Sequence, residues 1–121
     1  MSQPDTIIRN IAEVPWEEFP GHHGGALSKL LVGRDSPAAR HLDYRISSYA
    51  PMGHVERHVH KVQEQIYHVL EGEGLFEFGE EKRVVRRHDV MFIPPGVHHA
   101  FYNTGLERLV FLVITSPPSD D

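Results

Sequence analysis

The amino-acid sequence predicts an all-β domain, a sandwich or barrel of short strands, and three observations predict it. From Ala26 onward the chain runs in short segments rich in Val, Ile, Leu, Tyr and Phe, residues that suit a pleated, half-buried surface. Each segment is bounded by Gly, Pro or Asp clusters, which end strands through turn chemistry. The spacing of the segments fits a two-sheet sandwich or a closed barrel. Helix formers are too few for more than a single turn, near VPWEEF or SPAAR.

Residues 1–25 mix Pro, Gly and acidic residues around Trp16 and Phe19 and end in PGHHGG, which reads as an irregular arm docked by its aromatics. A single barrel domain follows over residues 26–116. Its strands are expected at ALSKLLVG, LDYRISSYA, HVHKV, QIYHVLEG, EGLFEFG, EKRVVRR, DVMFIPP, HHAFYNT and RLVFLVIT. EGEG and FGEE supply glycines for positive φ, and PPG fixes a tight entry to the His-rich strand after it. The charges of GEEKRVVRRHD read as a solvated hairpin face. Residues 117–121, the end of SPPSDD, are expected to fray as a flexible tail. Ile66 and Leu70 on one strand and Met91 and Ile93 on another are expected to face outward, which makes a homodimer the expected assembly.

The 121 residues hold one core, and 40% hydrophobic with 24% charged residues is a soluble globular composition. Twelve Lys plus Arg against seventeen Asp plus Glu give a net charge of -5, with no basic stripe for phosphates, so nucleic acid is not an expected partner. The absence of cysteine excludes disulfides and thiolate metal sites, so any metal must take N or O ligands. The first twenty residues lack a signal-peptide pattern, and no apolar run approaches about 18 residues. A cytoplasmic location without a membrane partner is the expectation.

Residues 54–68 read HVERHVHKVQEQIYH, four histidines in fifteen positions. If His58 and His60 lie on one strand, their side chains share a face and can chelate one ion. A further imidazole comes from HDVMFIPPGVHHAFYN, where strand alternation lets only one of His98 and His99 point inward. The other of the pair, like His68, is expected to serve packing or an interface. His22, His23 and His41 carry no ligand pattern, and His88 sits at a turn.

These two stretches resemble the paired motifs of the cupin superfamily, which lie on neighbouring strands of a double-stranded β-helix, or jelly-roll, barrel. The run GHVERHVHKVQEQIYHVLEG follows the first motif, and Pro94, Gly96, His99 and Asn103 fall on the pattern of the second. Met52 and His88 stand where the family has its motif-opening glycines. A third departure concerns the ligands. Counting back from Gly72 and forward from His60 both lead to Gln65, where the family usually has glutamate, whereas Glu64 fits only the shorter spacing. Strand alternation separates the two, with Gln65, Tyr67 and Val69 on one face and Glu64, Ile66 and His68 on the other.

The resemblance implies a divalent metal ion, Zn, Ni, Fe, Mn or Co, held by His58, His60, Gln65 and His99. Gln in this position resembles the small cupin that opens unsaturated uronate rings and certain polyketide cyclases. Neutral ligands leave the ion its full charge as a Lewis acid, which fits enolisation, ring opening, isomerisation or cyclisation of a small oxygenated substrate. A metal-dependent dioxygenase and a non-catalytic small-molecule or metal binder are the alternatives. Tyr67, His54, in a loop before the ligand strand, and Arg45 are the catalytic candidates, and a barrel-filling role for Tyr67 is the competing reading.

Overall fold

Residues 6–33 and 39–120 are described by the computed structural model. Apolar alternation resolves into strands β1 (His22–His23), β2 (Ala26–Val32), β3 (Asp43–Tyr49), β4 (His54–His58), β5 (Glu64–Glu71), β6 (Glu73–Phe78), β7 (Glu81–Arg86), β8 (Val90–Ile93), β9 (His99–Tyr102) and β10 (Leu109–Ser116). They form two five-stranded antiparallel sheets, ordered β2-β3-β10-β5-β8 and β1-β4-β9-β6-β7. This is the all-β jelly roll expected from the sequence. Among the described residues the one helical turn, Ile11–Glu13, is 3-10 and lies just before VPWEEF. The SPAAR turn falls largely outside the described residues.

The two sheets bury their inward rows against each other. Leu109, Phe111, Val113 and Thr115 of β10 face inward beside Gln65, Tyr67 and Val69 of β5. Phe101 and Phe76 close on them from the opposite sheet, with Phe101 4.9 Å from Phe111 and 5.8 Å from Tyr67, centroid to centroid. Aromatic pairs at such separations add to the area they bury. The result is a dry floor on one side of His99, whose ring lies 6.1 Å from that of Tyr67.

Four expectations need correction. The strand expected at HVHKV is displaced: β4 ends at His58, because Val59 and Val62, 40% and 50% exposed, have no apolar face to bury. His54 is therefore the first residue of β4, not part of a preceding loop. Met91 and Ile93 face inward, since the β5–β8 ladder sets them opposite Tyr67 and Gln65. On β5 and β8 the exposed apolar residues are instead Ile66, Val90 and Phe92, the last two 58% and 59% exposed. The arm is also less irregular than expected. Glu17 and Ser28 exchange two backbone hydrogen bonds of 2.9 Å, Lys29 sits over the Trp16 ring and Arg45 over that of Phe19, and β1 pairs with β4. On β7 only Val85 is buried, the solvated face expected of that charge run.

Glycine is used where the left-handed backbone demands it. Gly72 has φ +80°, and a Cβ there would run into the Arg108 carbonyl. Gly96, in the turn before β9, has φ +85°. Among the described residues the non-glycines with positive φ are Met52 (φ +77°) and His88 (φ +74°), the two positions where the sequence departs from the glycines of the resembling motifs. A left-handed non-glycine residue is strained by about 1–2 kcal/mol, partly offset by the smaller unfolded-state entropy of a residue with a side chain.

Both side chains are exposed, so little packing is lost on replacing them. Met52→Gly and His88→Gly should each raise stability by about 0.5–1 kcal/mol. Urea unfolding would register this as a higher midpoint at unchanged slope, and a lower midpoint in both variants would contradict the account.

Candidate metal centre

The two sheets and the loop between β4 and β5 bring four side chains to one point inside the barrel. His58 and His99 are paired across the β4–β9 ladder, with ring centroids 4.2 Å apart. His60, past the end of β4, swings in to 5.0 Å from the His58 ring and 5.6 Å from that of His99. One nitrogen from each of the three lies within 4.8 Å of the others. Gln65 reaches across from β5, its Oε1 3.0 Å from His99 Nε2. Glu64 is exposed and His98 is exposed, whereas Gln65 and His99 are buried.

Hydrogen bonds to the far side of each ring determine what faces the centre. His58 Nδ1 donates to the Glu56 carbonyl at 2.7 Å and His99 Nδ1 to the Val97 carbonyl at 2.9 Å. His60 Nδ1 donates to Asp120 Oδ2 at 2.9 Å. Carbonyls and carboxylates only accept, so in each neutral ring Nδ1 carries the hydrogen and Nε2 is bare. Gln65 Nε2 donates to Thr115 Oγ1 at 3.1 Å, which turns Oε1 toward the rings. Oε1 and His99 Nε2 are then two acceptors in van der Waals contact, an arrangement that calls for a positive charge between them.

A proton is a poor candidate for that charge. Burial pushes His99 down to about 4 against the raising effect of the Val97 hydrogen bond, and the neighbouring His58 and His60 depress it further. Burial lowers His58 as well, with His60 adding to it. His60 Nε2 is buried without a hydrogen-bond partner. Imidazole nitrogens about 2.1 Å from one ion lie at most about 4.2 Å apart, so a small inward settling would let these donors share a divalent cation. The donor set of three bare imidazoles and an amide oxygen fits such an ion.

A cavity of about 290 Å³ adjoins the histidines, and Arg45, Tyr49 and Tyr67 help to line it. Of the three catalytic candidates, Tyr67 and Arg45 reach this cavity and His54 does not. A bulge in the β4–β9 pairing between Val55 and His58 breaks the alternation that would have put His54 and His58 on one face. His54 instead stacks on Tyr102 at 5.4 Å. Arg45 is held through Nε and one terminal nitrogen by Asp43, at 2.7 and 3.1 Å. Burial pushes the Tyr67 hydroxyl up, so it keeps its proton.

Sequence reasoning missed two residues of this region. His22 lines the cavity while His23 turns out to Glu56 at 3.1 Å, the alternation of a two-residue strand. Burial lowers His22, and its Nδ1 donates to the Pro20 carbonyl. The adjacent histidines were visible, but nothing local marked them as a strand. Asp120 is the second. Where SPPSDD reads as a fraying end, residues 117–120 lie back over the site, and no sequence signal distinguished docking from fraying.

Comparison with known proteins gives a family match and several likenesses of fold. The cupin domain model (Cupin_2) matches residues 45–115. An oxalate-binding protein of Thermotoga maritima is 34% identical over 117 residues, 94% of this chain and 97% of that protein. An uncharacterized protein of Methanocaldococcus jannaschii is 39% identical over 61 residues, and the match spans about half of each, 50% of this chain and 49% of that protein. Among solved structures, a predicted oxalate decarboxylase from T. maritima superposes with TM-score 0.81 at 24% identity, covering 91% of this chain and 98% of that one. The polyketide cyclase RemF from Streptomyces resistomycificus gives 0.80 at 22%, covering 93% and 82%. KdgF from Halomonas sp. gives 0.76 at 20%, covering 91% and 92%. At these identities the structural likenesses establish the fold.

The depressed His99 has a consequence for the metal-free protein. Between about 4, its folded value, and 6.5, its ordinary value, the unfolded chain binds more protons than the folded one. The stabilising contribution is therefore fully present above 6.5 and is lost as pH falls toward 4, by about 3 kcal/mol for this fully buried ring. Urea midpoints of metal-stripped protein should fall over that interval. A flat or rising midpoint would contradict the burial of a neutral His99.

Proposed function

The chain belongs to the cupin family, and on that premise we propose that it is a metal-dependent small-molecule cupin whose His58, His60, His99 and Gln65 hold one divalent ion. The carrying observation is the set of bare nitrogens facing Gln65 Oε1, with His60 Nε2 buried and unpartnered. When bound, the ion supplies Lewis acidity toward a carbonyl or enol oxygen, undiminished by any ligand of negative charge. The reaction class this supports is enolisation, ring opening, isomerisation or cyclisation of a small oxygenated substrate.

The chain's own groups have distinct roles in this reading. A cavity of about 290 Å³ admits a molecule of sugar-acid size. Arg45, braced by Asp43 and by the Phe19 ring, orients a substrate carboxylate or hydroxyl. Tyr67 retains its proton and donates a hydrogen bond. His22 presents a bare Nε2 and accepts a proton as general base.

A second reading, binding without turnover, is favoured by the nearly full-length similarity to an oxalate-binding protein. Oxalate is a small dianion that can chelate a cation through two oxygens. Isothermal titration with oxalate, set beside turnover assays on unsaturated uronates and keto acids, separates the two. Conversion of any of these substrates supports the enzyme reading. Tight metal-dependent oxalate binding with no turnover supports the other.

Protein purified without a histidine tag should contain stoichiometric divalent metal by elemental analysis. His99→Ala should strip it and His98→Ala should not, and Gln65→Ala should weaken it more than Glu64→Ala. Loss of a ligand of this kind lowers affinity by about 10-fold or more. Metal lost only on changing Glu64 would move the ligand register by one residue and give the site a negative charge.

A further inference from the structure

Two of the three clustered histidines are aimed by the barrel, and the third is not. His58 ends β4, His99 opens β9, and the ladder between these strands pairs them. His60 lies beyond β4, where no pleat sets the direction of a side chain. Its carbonyl accepts from Gly96 N at 2.8 Å, which anchors its backbone and leaves its ring free to turn.

We propose that Asp120, on the segment following β10, is the positioning residue that aims His60 at the metal and selects its tautomer. This rests on the metal centre proposed above. The carboxylate bridges the whole loop. Oδ2 accepts from His60 Nδ1 at 2.9 Å, while Oδ1 accepts from the backbone N–H groups of Val62 and Gln63, each at 3.0 Å. The same segment is strapped down a second time, by Gln63 Nε2 donating to the Pro117 carbonyl at 3.1 Å. Asp120 is thus fixed by two amides that belong to the loop it serves, and its remaining oxygen has one direction in which to point.

The chemistry of the pair follows from its donors. An ionised carboxylate accepts and does not donate, so neutral His60 must place its hydrogen on Nδ1. Nε2 is then bare, and among the described residues it is the buried side-chain atom that lacks a protein partner. In the other tautomer the ring would present an N–H to the centre and could not ligate. A carboxylate behind the imidazole also makes Nε2 a stronger donor to a cation. For His58 and His99 a backbone carbonyl two residues upstream fills this place, which His60, beyond the strand, does not have.

Asp120→Asn separates aim from packing. Asparagine keeps Oδ1 for Val62 and Gln63 but turns an NH2 group, a donor, toward His60 Nδ1, which must then accept while its hydrogen moves to Nε2. Zn2+ affinity, measured by competition with a chromophoric chelator, should fall by about 10–100-fold, with a melting temperature near that of the wild type. Nitrogen NMR of the metal-free protein in mildly alkaline buffer should show His60 passing from the Nδ1–H to the Nε2–H form. Wild-type Zn2+ affinity in the variant overturns the proposal and leaves the metal centre standing. So does a weaker affinity with the Nδ1–H form retained, because only loop packing would then have changed. His99→Ala serves as the parallel control: if it binds Zn2+ as the wild type does, the metal centre is misassigned and the role of Asp120 falls with it.

Discussion

Three imidazole nitrogens and an amide oxygen are held facing one another at the inner end of a cavity, and much of the molecule follows from that constraint. Lone pairs turned toward lone pairs repel, so each must be restrained from behind. The restraints are Nδ1 hydrogen bonds to Glu56, Val97 and Asp120 and the bond from Gln65 to Thr115. The jelly roll supplies the frame, because pairing β4 with β9 and β5 with β10 sets His58 against His99 and Gln65 against Thr115. The aromatic floor of Phe76, Phe101, Phe111 and Tyr67 keeps the low dielectric that depresses the histidines.

The chain's two ends complete what the barrel begins. The arm contributes Pro20, Gly21 and His22 to the cavity wall, and its Phe19 backs Arg45. The segment after β10 returns to the loop that carries His60. Fold alone does not assign a reaction. Beside the histidines the cavity wall combines Arg45 and Tyr67 from barrel strands with His22 from the arm. No helix among the described residues is long and apolar enough to cross a membrane.

Much of this was legible in the sequence. Alternation located nearly every strand and set Gln65 and Glu64, like His99 and His98, on opposite faces, as their burial bears out; which member of each pair faces inward was read from the resembling motifs. What escaped it depended on departures from alternation. The bulge after Val55 turned His54 outward, and β4 stopped at His58, so that His58 and His60 do not share a strand as their spacing suggested. The inward face of Met91 and Ile93 escaped it because β8 is short and takes its register from β5, through pairs such as Gln65 with Ile93 and Tyr67 with Met91 that no local pattern carries. Asp120 escaped for the same reason: its role exists only through contacts with residues some 57 to 60 positions away. Met52 and His88 were recognisable as departures from glycine, and their positive φ gives those departures a physical meaning.

The central claim concerns where a cation sits, and anomalous diffraction from a crystal of the protein grown with Zn2+ addresses it most directly. The account predicts one strong anomalous peak inside the barrel, about 2.0–2.2 Å from Nε2 of His58, His60 and His99 and from Oε1 of Gln65. A peak bound through Nδ1 of any of these rings, or lodged among His22, His23 and His54 with the barrel centre empty, would contradict it.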